Sequence, residues 1–137
     1  MQYRPESKDI LQAIQDLLMK DILPKMEGDD LLSYKTLVSW NMLGVLIREG
    51  EKEEENLMED FKSFLKIPSI QNHITCKEEV FQSLSKKEKF KLLQDLNQEL
   101  AQGLRISKNS DIHSAEWNHI KSTLKNNLAI SNPRFTV

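Results

Sequence analysis

A single cysteine, Cys76, stands among 137 residues, and one thiol cannot close an intrachain disulfide. That excludes the stapled frameworks of small secreted domains and points to a reducing, cytoplasmic setting. Glycine and proline are scarce as well, four of each. No glycine-rich loop can therefore cradle a phosphate, and no Gly-x-Ser-x-Gly turn presents a nucleophile. Long apolar runs are missing: the longest, 42–47 with Gly44 counted, is far short of the roughly 20 residues of a membrane-spanning helix. A strong excess of one charge is missing too. Nineteen Lys+Arg face 21 Asp+Glu, a formal net charge of -2, so no global field draws the chain to nucleic acid or to an anionic bilayer. Met1-Gln2-Tyr3-Arg4-Pro5-Glu6 has neither the basic start nor the apolar core of a secretory leader, and membrane insertion is not expected.

What is present is helical periodicity from end to end. With 39% hydrophobic and 29% charged residues, the chain suits one folded domain, 1–137, with an adequate core and a heavily charged surface. The first helix is predicted from about 5–7 to 25, with Ile10, Ile14, Leu17, Leu18 and Ile22 at helical spacing and Pro24 kinking or ending its last turn. Gly28-Asp29-Asp30 makes the turn. A second helix is expected over about 30–49, stopped by Gly50, and it is apolar nearly all round: Tyr34, Leu37, Val38 and Val45 on one side, Trp40, Leu43 and Ile47 behind. Such a helix is normally buried, which places it at the centre of the fold. Gly44 in its interior costs about 1 kcal/mol relative to alanine, a loss explained by close approach of another helix or simply tolerated.

The charge run Glu51-Lys52-Glu53-Glu54-Glu55 is expected in the first turn of a third helix, where carboxylates offset the positive end of the dipole. Leu57, Met58, Phe61, Phe64 and Leu65 form its stripe, and Pro68 ends it. Residues 66–76 read as a connection and 77–84 as a short helix. Ser85-Lys86-Lys87-Glu88 is a capping box that opens the next helix, with Phe90, Leu93, Leu96 and Leu100 inward and Gly103 as its stop. After a polar loop at 107–110, the last helix runs from 111 or 114 to 130 with Trp117, Ile120, Leu124 and Leu128 inward. The expectation is an all-α bundle of five long helices and one short one, the second central.

Short signatures mark both ends: Arg4-Pro5 ahead of the first helix and Asn132-Pro133-Arg134-Phe135 after the last. Together with Ile22-Leu23-Pro24, Val38-Ser39-Trp40-Asn41 and Leu128-Ala129-Ile130-Ser131, they make the chain resemble a bacterial domain-of-unknown-function family over nearly its whole length. Where members of that family carry a histidine and an arginine early in the second helix, this chain has Lys35 and Leu37, so no role for those two side chains carries over. The resemblance implies neighbours that are acyl-CoA dehydrogenase-like and aminoglycoside-phosphotransferase-like proteins, and hence an accessory role.

Candidate chemistry is thin. His73 and Cys76 have a His-x-x-Cys spacing, but a structural zinc site wants four ligands and no second such pair exists. Glu116 and His119 form one Glu-x-x-His, where a di-iron bundle needs two copies plus two further glutamates. No metal, cofactor or catalytic residue is expected. Lys86, Lys87, Lys89 and Lys91 are the best anion patch, with solvated surface as the plainer reading. Asn41 falls between Leu37, Val38 and Val45 on the expected central helix, and a buried carboxamide must find partners. Arg4 or Arg134, with Asn132 and Glu49 close by, would supply them, either as a polar clasp that docks the tail or as the lining of a ligand pocket. The function expected is thus an accessory or protein-interaction domain without catalysis of its own, partnered by another protein or by itself as a homodimer, not by nucleic acid or a membrane. The alternative is a binder of small anionic, acyl-CoA-related molecules or an enzyme-assisting protein.

Overall fold

The structure is a computed structural model that describes residues 4–134. It is all-α: α1 (Ser7–Asp16), α2 (Asp30–Phe64), α3 (Glu78–Ser83), α4 (Lys86–Ser107) and α5 (Ala115–Ser131), with no strand among the described residues. Two compact units divide the chain that reads from sequence as one domain, Met1–Lys52 and Glu53–Val137. No helix is long and apolar enough to cross a membrane among the described residues.

In the first unit, α1 is followed by a wide π turn, Leu17–Ile22, and a tight 3-10 turn, Leu23–Met26. Pro24 accounts for both departures. It has no N–H to give the carbonyl one turn back, so the ladder widens ahead of it and tightens around it. Gly28, at φ 92°, then reverses the chain in a conformation that side chains disfavour. α2 returns antiparallel to α1, as three contacts along its length record. Ser33 Oγ donates to the Met26 carbonyl at 3.3 Å, Gln15 Nε2 donates to the Trp40 carbonyl at 2.9 Å, and Lys8 pairs with Glu51. Gly44 serves the middle one: a Cβ there would sit 3.1 Å from Gln15 Nε2, so the close approach expected at this glycine is real and belongs to α1.

Two expectations for this region are corrected. Gly50 does not stop the helix; α2 runs through it as one element of 35 residues, so the second and third predicted helices are one. A penalty of about 1 kcal/mol is easily bridged when strong helix formers flank it. Nor is the 30–49 stretch a buried centre. Leu31, Leu32, Tyr34, Leu37, Val38, Met42 and Leu46 are all exposed.

The core lies in the second unit. Leu57, Phe61 and Phe64 of α2, at i, i+4 and i+7, meet Leu93, Leu96 and Leu100 of α4, with Ile67, Ile70 and Phe81 filling in from the connection and α3. Phe61 and Phe81 stack with ring centroids 4.1 Å apart and planes 3° from parallel. Ser85 opens α4 with the expected capping box: its Oγ accepts from the Glu88 N–H at 3.4 Å while Glu88 Oε2 accepts from the Ser85 N–H at 2.8 Å. Bonds from the Ser85 hydroxyl and N–H hold the Glu88 carboxyl below its ordinary range. Gly103 does not end α4, which continues to Ser107 and closes on Lys108 in the left-handed conformation, φ 49°.

Two faces in this unit differ from the predicted stripes. Phe90 is exposed, and its neighbour Lys89 is the buried residue, ion-paired to Glu54 and set 5.8 Å from the centre of the Phe81 ring. On α5 Leu124 is exposed and His119 is buried. The reason is polar register: Thr123 Oγ1 donates to Asp60 Oδ1 and Asn126 Nδ2 to Glu59 Oε2, both at 2.9 Å, which turns the 119–123–126 edge toward α2.

Candidate interaction surface

The side of α2 that faces α1 is fixed by the buried pair Thr36 and Gly44, with Trp40 half-buried midway between them. At 100° per residue the positions two on from these point nearly the opposite way. There the helix shows Val38 and Met42, with Leu31 and Leu46 extending the stripe at either end; Leu31 is 64% and Met42 61% exposed. Tyr34 and Leu37 flank it on one side and Leu32 on the other, all exposed. On α1 and the start of the π turn, Ile10, Ile14 and Leu17 form a second exposed apolar row. Together with Pro5, Asp9 and Ala13 they line a shallow groove of about 400 Å³. Large apolar side chains exposed in rows of this kind are uncommon on monomeric soluble proteins.

A second depression in the first unit, about 630 Å³, opens between the start of α1 and the 46–51 stretch of α2, lined by Pro5, Glu6, Ser7, Lys8, Leu11, Leu46, Ile47, Gly50 and Glu51. Its one cation is already engaged. The Glu51 carboxylate accepts from Lys8 and holds the ammonium pKa above its usual value.

The residues predicted to form a clasp do not do so as expected. Asn41 is exposed, so there is no buried carboxamide on α2 to be satisfied, and the clasp and its pocket variant lose their premise. The cause is the same as for the whole 30–49 stretch: Leu37 and Val38, two of the neighbours that made Asn41 look buried, are themselves exposed. Arg4, Glu49, Asn132 and Arg134 are exposed as well, and Phe135 lies outside the described residues.

The lysine patch is largely neutralised. Lys86 pairs with Glu53 at 2.7 Å, Lys89 with Glu54, and Lys91 with Asp95 one turn on. The acidic run therefore answers lysines of α4 and Lys8 of α1 instead of a helix dipole, because it sits in mid-helix and not at a start. His73 turns to Glu99, 3.6 Å away, while partial burial pushes the Cys76 thiol up. Glu116 Oε1 accepts from Ser69 Oγ at 2.9 Å, and its carboxyl is held low by its own backbone N–H first and by the Ser69 and Ser114 hydroxyls after it. No group of three potential metal ligands occurs among the described residues.

One buried polar group lies outside the sequence expectations. His119 is 2% exposed, its ring tilted at 44° against Phe64 with centroids 4.1 Å apart, and neither ring nitrogen has a hydrogen-bond partner among the described residues. Burial lowers its pKa, opposed by the charge of Asp60. Asp60 is itself pushed up by burial, with the Thr123 hydroxyl working against that. No local sequence pattern marks it, because its inward turn rests on the bonds of Thr123 and Asn126 to Asp60 and Glu59.

No family model matches the chain, and neither a curated protein nor a solved structure is found similar to it.

Proposed function

We propose that the protein is an accessory, protein-interaction module of the cytoplasm that acts through the exposed apolar face of its first unit and performs no catalysis of its own. One observation carries this: Met1–Lys52 holds a run of large exposed apolar side chains, from Ile10 to Leu46, outside any core, while Glu53–Val137 buries nine apolar residues. A helix pair that leaves one whole apolar stripe in water has a surface suited to another helical face. The resemblance to a bacterial family with acyl-CoA dehydrogenase-like neighbours fits an accessory role and supplies one class of candidate partner. The competing reading, a small anionic ligand, has the 630 Å³ depression in its favour. There, however, the ligand would have to displace Glu51 from Lys8.

The test is affinity capture from the native extract with three forms of the full chain. Wild type and a control, Ile106→Asp on an exposed apolar residue of the second unit, should retain the same partner. Val38→Asp with Met42→Asp should lose it. Equal capture by all three, or an acyl-CoA-type ligand that raises the melting temperature with no protein retained, would contradict the proposal.

A further inference from the structure

Resting on that interaction-face reading, we infer that the occupant of the α2 stripe is a second copy of this chain, packed antiparallel across a two-fold axis at Met42. Five exposed residues carry the argument: Lys35, Val38, Met42, Leu46 and Glu49. Their spacing is three, four, four, three, a palindrome centred on Met42, and at 100° per residue they fall within about 80° of one another around the helix. A two-fold axis perpendicular to the helix at Met42 sets Met42 on its own copy, Val38 on Leu46, and Lys35 on Glu49. Within the 35–49 segment Val38 thus meets Leu46, Met42 meets its own copy, and opposite charges flank these apolar layers.

Self-complementarity of this kind is what an isologous interface demands, since every residue must meet the mate of its own partner. A parallel arrangement fails the same check, because Lys35 would face Lys35 and Glu49 would face Glu49. Neither Lys35 nor Glu49 enters an ion pair among the described residues, so both charges are available to a neighbour. The polar flank argues against a bilayer as the occupant: α1 and the turns after it carry Asp9, Asp16 and Asp21 against Lys8, Lys20 and Lys25, with no cationic excess for anionic headgroups.

Sedimentation velocity of the full chain across a concentration series tests the pairing through charge reversal. Lys35→Glu puts a carboxylate opposite the Glu49 carboxylate, and Glu49→Lys puts an ammonium opposite that of Lys35; each should raise the dimer dissociation constant on the order of tenfold or more. The double variant Lys35→Glu with Glu49→Lys restores opposite charges and should regain most of the wild-type value. Both sites are on the surface, and unchanged helicity by circular dichroism shows that each variant is folded. A dimer indifferent to these reversals, or a wild type monomeric at every concentration, overturns the inference. In the monomeric case, capture that still depends on Val38 and Met42 would leave the interaction-face reading standing, and capture that does not would remove both.

Discussion

The two units use similar material to opposite ends. Glu53–Val137 sinks Phe61, Phe64 and Phe81 into a core shared by three helices and a connection, and each such burial stabilises by about 1.5–3 kcal/mol. Met1–Lys52 is also rich in large apolar side chains, yet Thr36 and Gly44 are its only buried positions among the described residues. The difference is geometric. Two helices can bury only the strip along which they touch, whereas a third and fourth helix close the remaining sides. In the first unit the contact strip is taken up by Gly44, Trp40 and the Gln15 amide, which leaves the far side of α2 for something else.

The largest effect that would sharpen this contrast is a truncation in each unit. Phe61→Ala, removing a fully buried ring stacked on Phe81, should destabilise the second unit by about 3–5 kcal/mol. Tyr34→Ala, on a side chain 65% exposed, should stay within about 0.5 kcal/mol. Urea unfolding followed by circular dichroism measures both. At a concentration where the chain is monomeric, comparable losses at the two sites would show that the first unit has a core after all.

A smaller effect concerns acid sensitivity, and it should belong to the second unit alone. Burial depresses the His119 pKa below its unfolded value of about 6.5, so below that value the unfolded chain binds the proton more readily than the folded one. The stability that neutral His119 permits is thus fully present above about pH 6.5 and is lost as the pH falls from there through the folded pKa. His119→Leu keeps the volume and removes two unpaired nitrogens. It should leave stability at neutral pH unchanged or about 1 kcal/mol higher and flatten the loss between about pH 6.5 and 5. Melting temperatures across that range decide it, and a variant that loses stability in parallel with wild type would contradict the assignment.

The smallest expected change is at Gly50, where a Cβ would meet nothing within 4 Å. Gly50→Ala should stabilise by about 0.5–1 kcal/mol, because the helix gains propensity and disturbs no neighbour. A loss of stability on thermal melting would mean that the position is not the helix interior it is described as.

Much of this is legible in the sequence where local chemistry decides. The all-α class, the Ser85–Glu88 capping box and the Leu57–Phe61–Phe64 and Leu93–Leu96–Leu100 stripes follow from periodicity and hydrogen-bonding groups a few residues apart. Gly50 and Gly103 mislead as stops because a glycine only weakens a helix, and its neighbours determine whether the helix continues. Asn41 misleads for a different reason. An apolar pattern around a residue says that the face prefers burial, not that anything within the chain supplies it. His119 is hidden from a local reading because its inward turn depends on Thr123 and Asn126 meeting Asp60 and Glu59, a long-range register that no local pattern encodes.

Association is expected to cover the apolar stripe of α2, whereas the second unit is expected to need no partner. Amide hydrogen exchange at low and high protein concentration measures it segment by segment. Residues 34–47 should gain protection as concentration rises, by the factor through which dimer outweighs monomer, while 57–64 and 93–100 stay equally protected throughout. Protection of 34–47 that is independent of concentration, with no added partner, would contradict it.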